Sequence, residues 1–164
     1  MQFSSPKPSF EKTLTDNNIV LPNVPVPIAN FLPYRRAGNM IYLAGQVCEW
    51  NGTVTSEGKV GAEVDIDKAY SAARICGLNL IAALRLACND DLDKVSHCVR
   101  VGGFVNCDPH FDSVPKVIDG ASDLFYELFG ERGHHARAAV GVASLPRCAS
   151  VEVDAIFMLE DEYV

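Results

Sequence analysis

The chain has no run of basic residues. Its densest positive stretch is "YRR" at 34–36, and its formal net charge is −7. Such a surface repels a phosphate backbone, so nucleic acid is not expected as a partner. Nor is there a CxxC pair. The six cysteines (Cys48, Cys76, Cys88, Cys98, Cys107 and Cys148) are scattered and show no zinc-ligand spacing to the four histidines. They read as reduced thiols, mostly small core residues. The amino-terminal "MQFSSPKPSFEK" lacks an apolar segment of the kind that directs secretion. The most apolar long stretch is broken by Arg85 and too short to span a bilayer. A cytoplasmic protein without membrane contact is expected. No repeat, linker or low-complexity tract divides the 164 residues, a length suited to a single domain, 1–164.

What is present reads as a soluble globular chain, 48% hydrophobic and 21% charged. Residues 1–33, with "LPNVPVPIANFLP", read as an extended Pro-rich arm across the domain surface. "NMIYLAGQVCEW" (39–50) is a long strand, followed by a hairpin turn at "NGTV". A helix then starts at Asp65 or Asp67. Its apolar stripe is Ala69, Ala72, Ala73, Cys76, Leu80, Ala83, Leu84 and Ala87, rich enough in alanine to lie close against a sheet. "VSHCVRVGGFVN" (95–106) is the next strand. A second helix spans about 113–129, with Val117, Ala121, Leu124, Phe125 and Leu128 inward and Gly130 as its stop. Strands at 136–144 and 150–159 close the chain. This order predicts an α+β fold, a sheet with both helices on one face. The opposite face needs a cover that the chain does not supply, so an oligomer is expected.

The segment "ARAAVGVAS" (136–144) carries small and apolar residues on both faces, yet contains Arg137. If the last two strands form a hairpin around "LPRCA", Val142 pairs with Glu152 and Arg137 with Phe157. Arg137 and Glu152 are then five positions apart and on opposite faces, about 17 Å along the ladder. Two readings of Arg137 stand side by side. It is a structural ion-pair partner on an edge strand, or it anchors an anionic ligand, gripping a carboxylate with its planar fork while Ala139 and Gly141 leave room. Gly120 inside a helix marks close approach of a ligand or of backbone, or packing of the helix on the sheet. His134 and His135 precede Arg137 as a proton carrier or as exposed loop residues.

"ARAAVGVASLPRCASVEVDAI" together with "AGNMIYLAGQV" resembles the signature of the RidA/YjgF proteins, the reactive-intermediate deaminases, and in particular a longer YjgF/chorismate-mutase-like, L-PSP endoribonuclease-like subgroup. The resemblance covers most of 34–158. It implies a chorismate-mutase-like fold with a mixed sheet, assembled as a homotrimer whose sheets form a central barrel, with sites in the clefts between subunits. It further implies hydrolysis of enamine or imine carboxylic acids to 2-keto acids and ammonia. Carried over, the carboxylate anchor falls on Arg137 and the water-activating glutamate on Glu152, the two meeting across an interface. Phe31 stands where deaminating members carry a tyrosine, Ala44 where they carry a serine, and Gly120 near a helix asparagine. Phe31, Ala44, Ala139 and Gly120 are therefore candidate substrate contacts beside Arg137.

Two function classes follow: a hydrolytic deaminase, or a binding protein for a small carboxylate or 2-keto acid without turnover. Endoribonuclease activity, the older label of the resemblance, is the weakest reading, given the acidic charge and the lack of a His/Lys/Glu trio. No metal and no cofactor is expected.

Overall fold

The computed structural model describes residues 9–161. The first eight residues of the Pro-rich arm lie outside the described residues. The next part of the arm is not extended. Ser9 accepts a hydrogen bond from the Lys12 amide at 3.2 Å and starts α1 (Phe10–Asp16), whose Phe10 and Leu14 are buried at helical spacing. Phe10 packs edge-on against Phe129, ring centroids 4.9 Å apart. The free amides of the α1 amino terminus find Asp93 Oδ1, at 2.6 Å from Phe10 N and 3.2 Å from Glu11 N. Glu11 Oε1 in return accepts from Leu92 N and Arg85 Nε. Residues 20–33 then run without regular structure until Ala44 N donates to Pro33 O at 2.9 Å.

Five strands build one mixed sheet: β1 (Tyr34–Ala37), β2 (Met40–Val47), β5 (Val95–Asn106), β6 (Ala136–Val142) and β7 (Val151–Leu159), in the order β1-β2-β7-β5-β6. The short β3 (Glu49–Trp50) and β4 (Thr53–Val54) form a separate hairpin turned by Asn51 and Gly52, both at positive φ. α2 (Ile66–Ala87) begins where Asp65 Oδ1 accepts from Lys68 N at 2.8 Å, so the first of the two candidate caps is the one used. Every residue of the alanine-rich stripe is buried. α3 (Val114–Phe129) buries its five expected inner residues and ends at Gly130, whose φ of 57° stops the helix.

The closing hairpin is a misreading that the sheet order corrects. β6 pairs parallel with β5, Arg137 opposite Val101, and β7 lies antiparallel on the other side of β5, with Val101 opposite Ala155. The β5-α3-β6 crossover sets β6 beside β5, because parallel neighbours require a long connection and α3 supplies it. β7 then enters the remaining place between β5 and β2. Its residues alternate buried and half-buried from Val151 to Leu159, the pattern of a central strand with one face on the helices. β6, despite its apolar composition, is an edge strand, with Ala136, Ala138 and Val140 exposed. Both long helices pack on the β7 face that carries Val151, Val153, Ala155 and Phe157. Among the described residues, no helix lies over the face that carries Glu152, Asp154, Ile156 and Met158.

Candidate functional site

Three features of the chain converge on a cleft of about 780 Å³. The stretch 23–33 of the arm forms one wall with Val24, Val26, Ile28 and Phe31. β2 and β7 form the floor, through Gly45, Gln46 and Glu152. The turn after β6 contributes Pro146 and Arg147. β2 reaches the floor through an irregularity in its pairing: Leu43 lies opposite Ala155 but Gln46 opposite Val153, so two residues of β2 face one of β7. The extra residue places Gly45 against the Glu152 carboxylate so tightly that a Cβ on Gly45 would collide with Oε1.

Glu152 is half-buried, and its carboxylate has no hydrogen-bond or ion-pair partner among the described residues. Burial raises its pKa above the usual carboxylate value, and the neighbouring Asp154 charge adds to the rise. A carboxylate so placed takes up a proton more readily than one in water, which suits it to proton transfer. Arg147 borders the same cleft. It sits in the left-handed region at φ 57°, and its guanidinium donates to Glu49 Oε2 at 2.5 Å and to Gly52 O at 2.6 Å. Glu49 is held from behind, because the buried Asn79 donates from Nδ2 to its carbonyl at 2.6 Å.

The sequence-derived candidates fall into two groups. Phe31 and Glu152 share the cleft, and Ala44 lies one residue from it, binding the arm through its amide. Arg137 and Ala139 lie elsewhere, on β6, two strands from β7. Relative to Glu152, which is opposite Phe104, Arg137 is displaced by three residues along β5, about 10 Å, and points to the helix-covered face. Within one chain the two charges cannot touch one small ligand. Arg137 Nη1 instead donates to Asp119 Oδ1 at 2.8 Å and to Ser122 Oγ at 3.0 Å, both on α3. Ala139 pairs with Gly103 and packs on the core. Gly120 is buried where α3 crosses α2: a Cβ there would run into the Tyr70 carbonyl, so its neighbour is helix backbone and no ligand has room. His135 is neither a free loop residue nor in the cleft. It is packed edge-on to Phe125 and bonded to Ser122. Cys107 is buried and Cys148 exposed.

Arg147, Glu49, Gly45 and the Asp119–Ser122 pair were not identified from sequence. "LPRCA" reads as any loop, and nothing in its composition marks an arginine with positive φ turned into a cleft. The Gly45 signal was present as the glycine of "AGQ", but its meaning depends on a pairing irregularity that only the β7 register reveals.

Comparisons with known proteins agree with this architecture. Residues 11–157 match the family described as "YjgF/chorismate_mutase-like, putative endoribonuclease". The chain is 38% identical over 144 residues to Protein TCP17 of Trypanosoma cruzi, covering 87% of this chain and 89% of that one. It is 27% identical over 145 residues to a 2-iminobutanoate/2-iminopropanoate deaminase of Dermatophagoides farinae, covering 87% and 95%. The crystal structure of Atu1372 from Agrobacterium tumefaciens, a protein of unknown function, superposes with a TM-score of 0.85 at 40% identity, over 93% of this chain and 94% of that one. A sheet of this order, a glutamate on its uncovered face and a match along nearly the whole length lead to one conclusion: the chain belongs to the YjgF/chorismate mutase-like family, that of the RidA proteins.

Proposed function

We propose that the protein hydrolyses small enamine or imine carboxylic acids to 2-keto acids and ammonia, in clefts completed between subunits of a homotrimer. The observation that carries this reading is the Glu152 carboxylate, half-buried, unpaired among the described residues and raised in pKa at the floor of a cleft open to ligand. In the reaction Glu152 takes a proton from water as its oxygen bonds to the imine carbon. Glu152 passes that proton to the nitrogen, giving a carbinolamine; the hydroxyl proton of the carbinolamine then reaches the nitrogen by way of Glu152, the C–N bond breaks, and ammonia leaves as the carbonyl forms. Arg137 from a neighbouring copy holds the carboxylate at the other side of the cleft; its own Glu152 is out of reach. The deaminase relative of Dermatophagoides farinae supports the substrate class.

A second reading, carboxylate binding without turnover, is favoured by Phe31 and Ala44, which bring no hydroxyl to orient water. One experiment separates the two. Ammonia release is measured on imines generated in situ by a dehydratase or an amino-acid oxidase, with wild type and Arg137→Ala. Release by wild type that is lost in the variant supports the deaminase. Binding of 2-oxobutanoate without any ammonia supports the second reading, and neither binding nor release removes both.

A further inference from the structure

Arg137 is held by a chain of hydrogen bonds whose direction can be deduced atom by atom. The Gly133 carbonyl lies 2.7 Å from His135 Nδ1. A carbonyl only accepts, so Nδ1 carries the hydrogen. Burial, helped by the neighbouring Arg137 charge and opposed by this hydrogen bond, lowers the His135 pKa and keeps the ring neutral at pH 7. Nε2 is then a bare lone pair, and its 3.0 Å contact with Ser122 Oγ runs from hydroxyl to ring. With its hydrogen committed, the Ser122 oxygen offers only lone pairs, one of which receives Arg137 Nη1 at 3.0 Å. The other Nη1 hydrogen goes to Asp119 at 2.8 Å. Both hydrogens of Nη1 are thereby engaged on the α3 side. Nε and Nη2, which share one edge of the planar guanidinium, have no hydrogen-bond partner among the described residues, and that edge is the two-pronged fork a carboxylate fits.

We propose that Ser122 and His135 are positioning residues for Arg137: through the locked imidazole they fix Nη1 and present the Nε–Nη2 edge to the ligand carboxylate. This rests on the reading of Arg137 as the carboxylate anchor. A serine alone would leave its hydroxyl free to rotate and donate elsewhere. The histidine removes that freedom, and Asp119 alone holds the guanidinium at a single point.

The test is a double-mutant cycle read as the Kd of 2-oxobutanoate and as KM and kcat for imine hydrolysis, using Ser122→Ala, His135→Phe, the double variant and Ser122→Thr. His135→Phe keeps a ring against Phe125 and, read alone against wild type, still tests the proposal should Ser122→Ala fail to fold. Each single variant is expected to raise Kd and KM about tenfold with kcat nearly unchanged, the scale of one neutral hydrogen bond. The double variant should be no worse than either single one, because the two side chains act in series. Ser122→Thr keeps the hydroxyl and should restore binding. The proposal is overturned if the losses add, or if Kd stays within about twofold of wild type while only the melting temperature falls, the mark of a purely structural brace. Wild-type binding by Arg137→Lys would instead show that the anchor reading itself is wrong.

Discussion

At the scale of single residues, Glu152 and His135 perturb stability in opposite directions with pH. The Glu152 pKa is raised by burial, so the folded chain keeps this proton to higher pH than the unfolded chain. Between the two values the native state binds more protons, and stability falls as pH rises through the window above the ordinary 4.5. Glu152→Gln removes that loss. Urea denaturation at pH 7 should find the variant as stable as wild type or more so, while deamination drops by about 10² to 10⁴-fold, the usual contribution of a proton-transfer group. A Gln variant that is less stable at neutral pH would mean that the carboxylate has a partner in the native state. His135 behaves inversely. Its folded pKa is depressed, so the unfolded chain takes up the proton first and stability is lost as pH falls below about 6.5, the ordinary histidine value. Thermal melts between pH 7 and pH 5 should show a shallower decline for His135→Phe than for wild type.

Among the elements, α2 and α3 cross in close contact, and Gly120 permits it. Gly120→Ala would ordinarily gain about 1 kcal/mol of helix propensity. Here the added methyl meets the Tyr70 carbonyl, backbone that has no rotamer by which to yield. A net destabilisation of about 1–3 kcal/mol is expected, read as a lower urea midpoint at unchanged slope. The two long helices were legible in the sequence, whereas α1, inside the arm read as extended, was not. Asp65, the alanine stripe and Gly130 each act within a turn or two of chain, so their signals are local. The strand order was not. A short connection between "ARAAVGVAS" and "VEVDAI" suggests a hairpin, whereas the pairing of β6 is decided by the crossover through α3, information spread from Val95 to Val142. Glu152 and Phe31 were reached through family resemblance. The Ser122–His135 link was invisible because the two lie 13 positions apart and join only when α3 packs on β6.

For the whole molecule, the decisive feature is an apolar edge left open. Among the described residues, β6 offers an unpaired row of backbone groups flanked by small side chains and by Val140, 47% exposed, on a sheet whose second face carries no helix. Isolated chains avoid such edges because they recruit other strands. For the proposed homotrimer, light scattering should give three times the 17.8 kDa chain mass at micromolar concentration. Val140→Lys, a charge on the uncovered face of that edge, should shift the mass toward monomer and abolish deamination in the same titration, since the halves of the site would separate. A fully active monomer would contradict the intersubunit cleft.

The reciprocal clasp between α1 and the turn at 91–93 has a consequence for the distant cleft. Residues 17 to 33 form a strap fastened at both ends, by Phe10, Glu11 and Asp93 at one and by the Pro33–Ala44 hydrogen bond at the other. Closing such a loop costs entropy that the clasp has already met, so the cleft wall, itself tied by Asn23 N to Asn51 Oδ1 at 2.8 Å, draws further order from contacts beyond its own residues. Phe10→Ser would undo one buckle without touching the wall. Amide hydrogen exchange across 20–32 should then accelerate while that of β7 stays slow, leaving Phe31 to wander over a floor that has not moved.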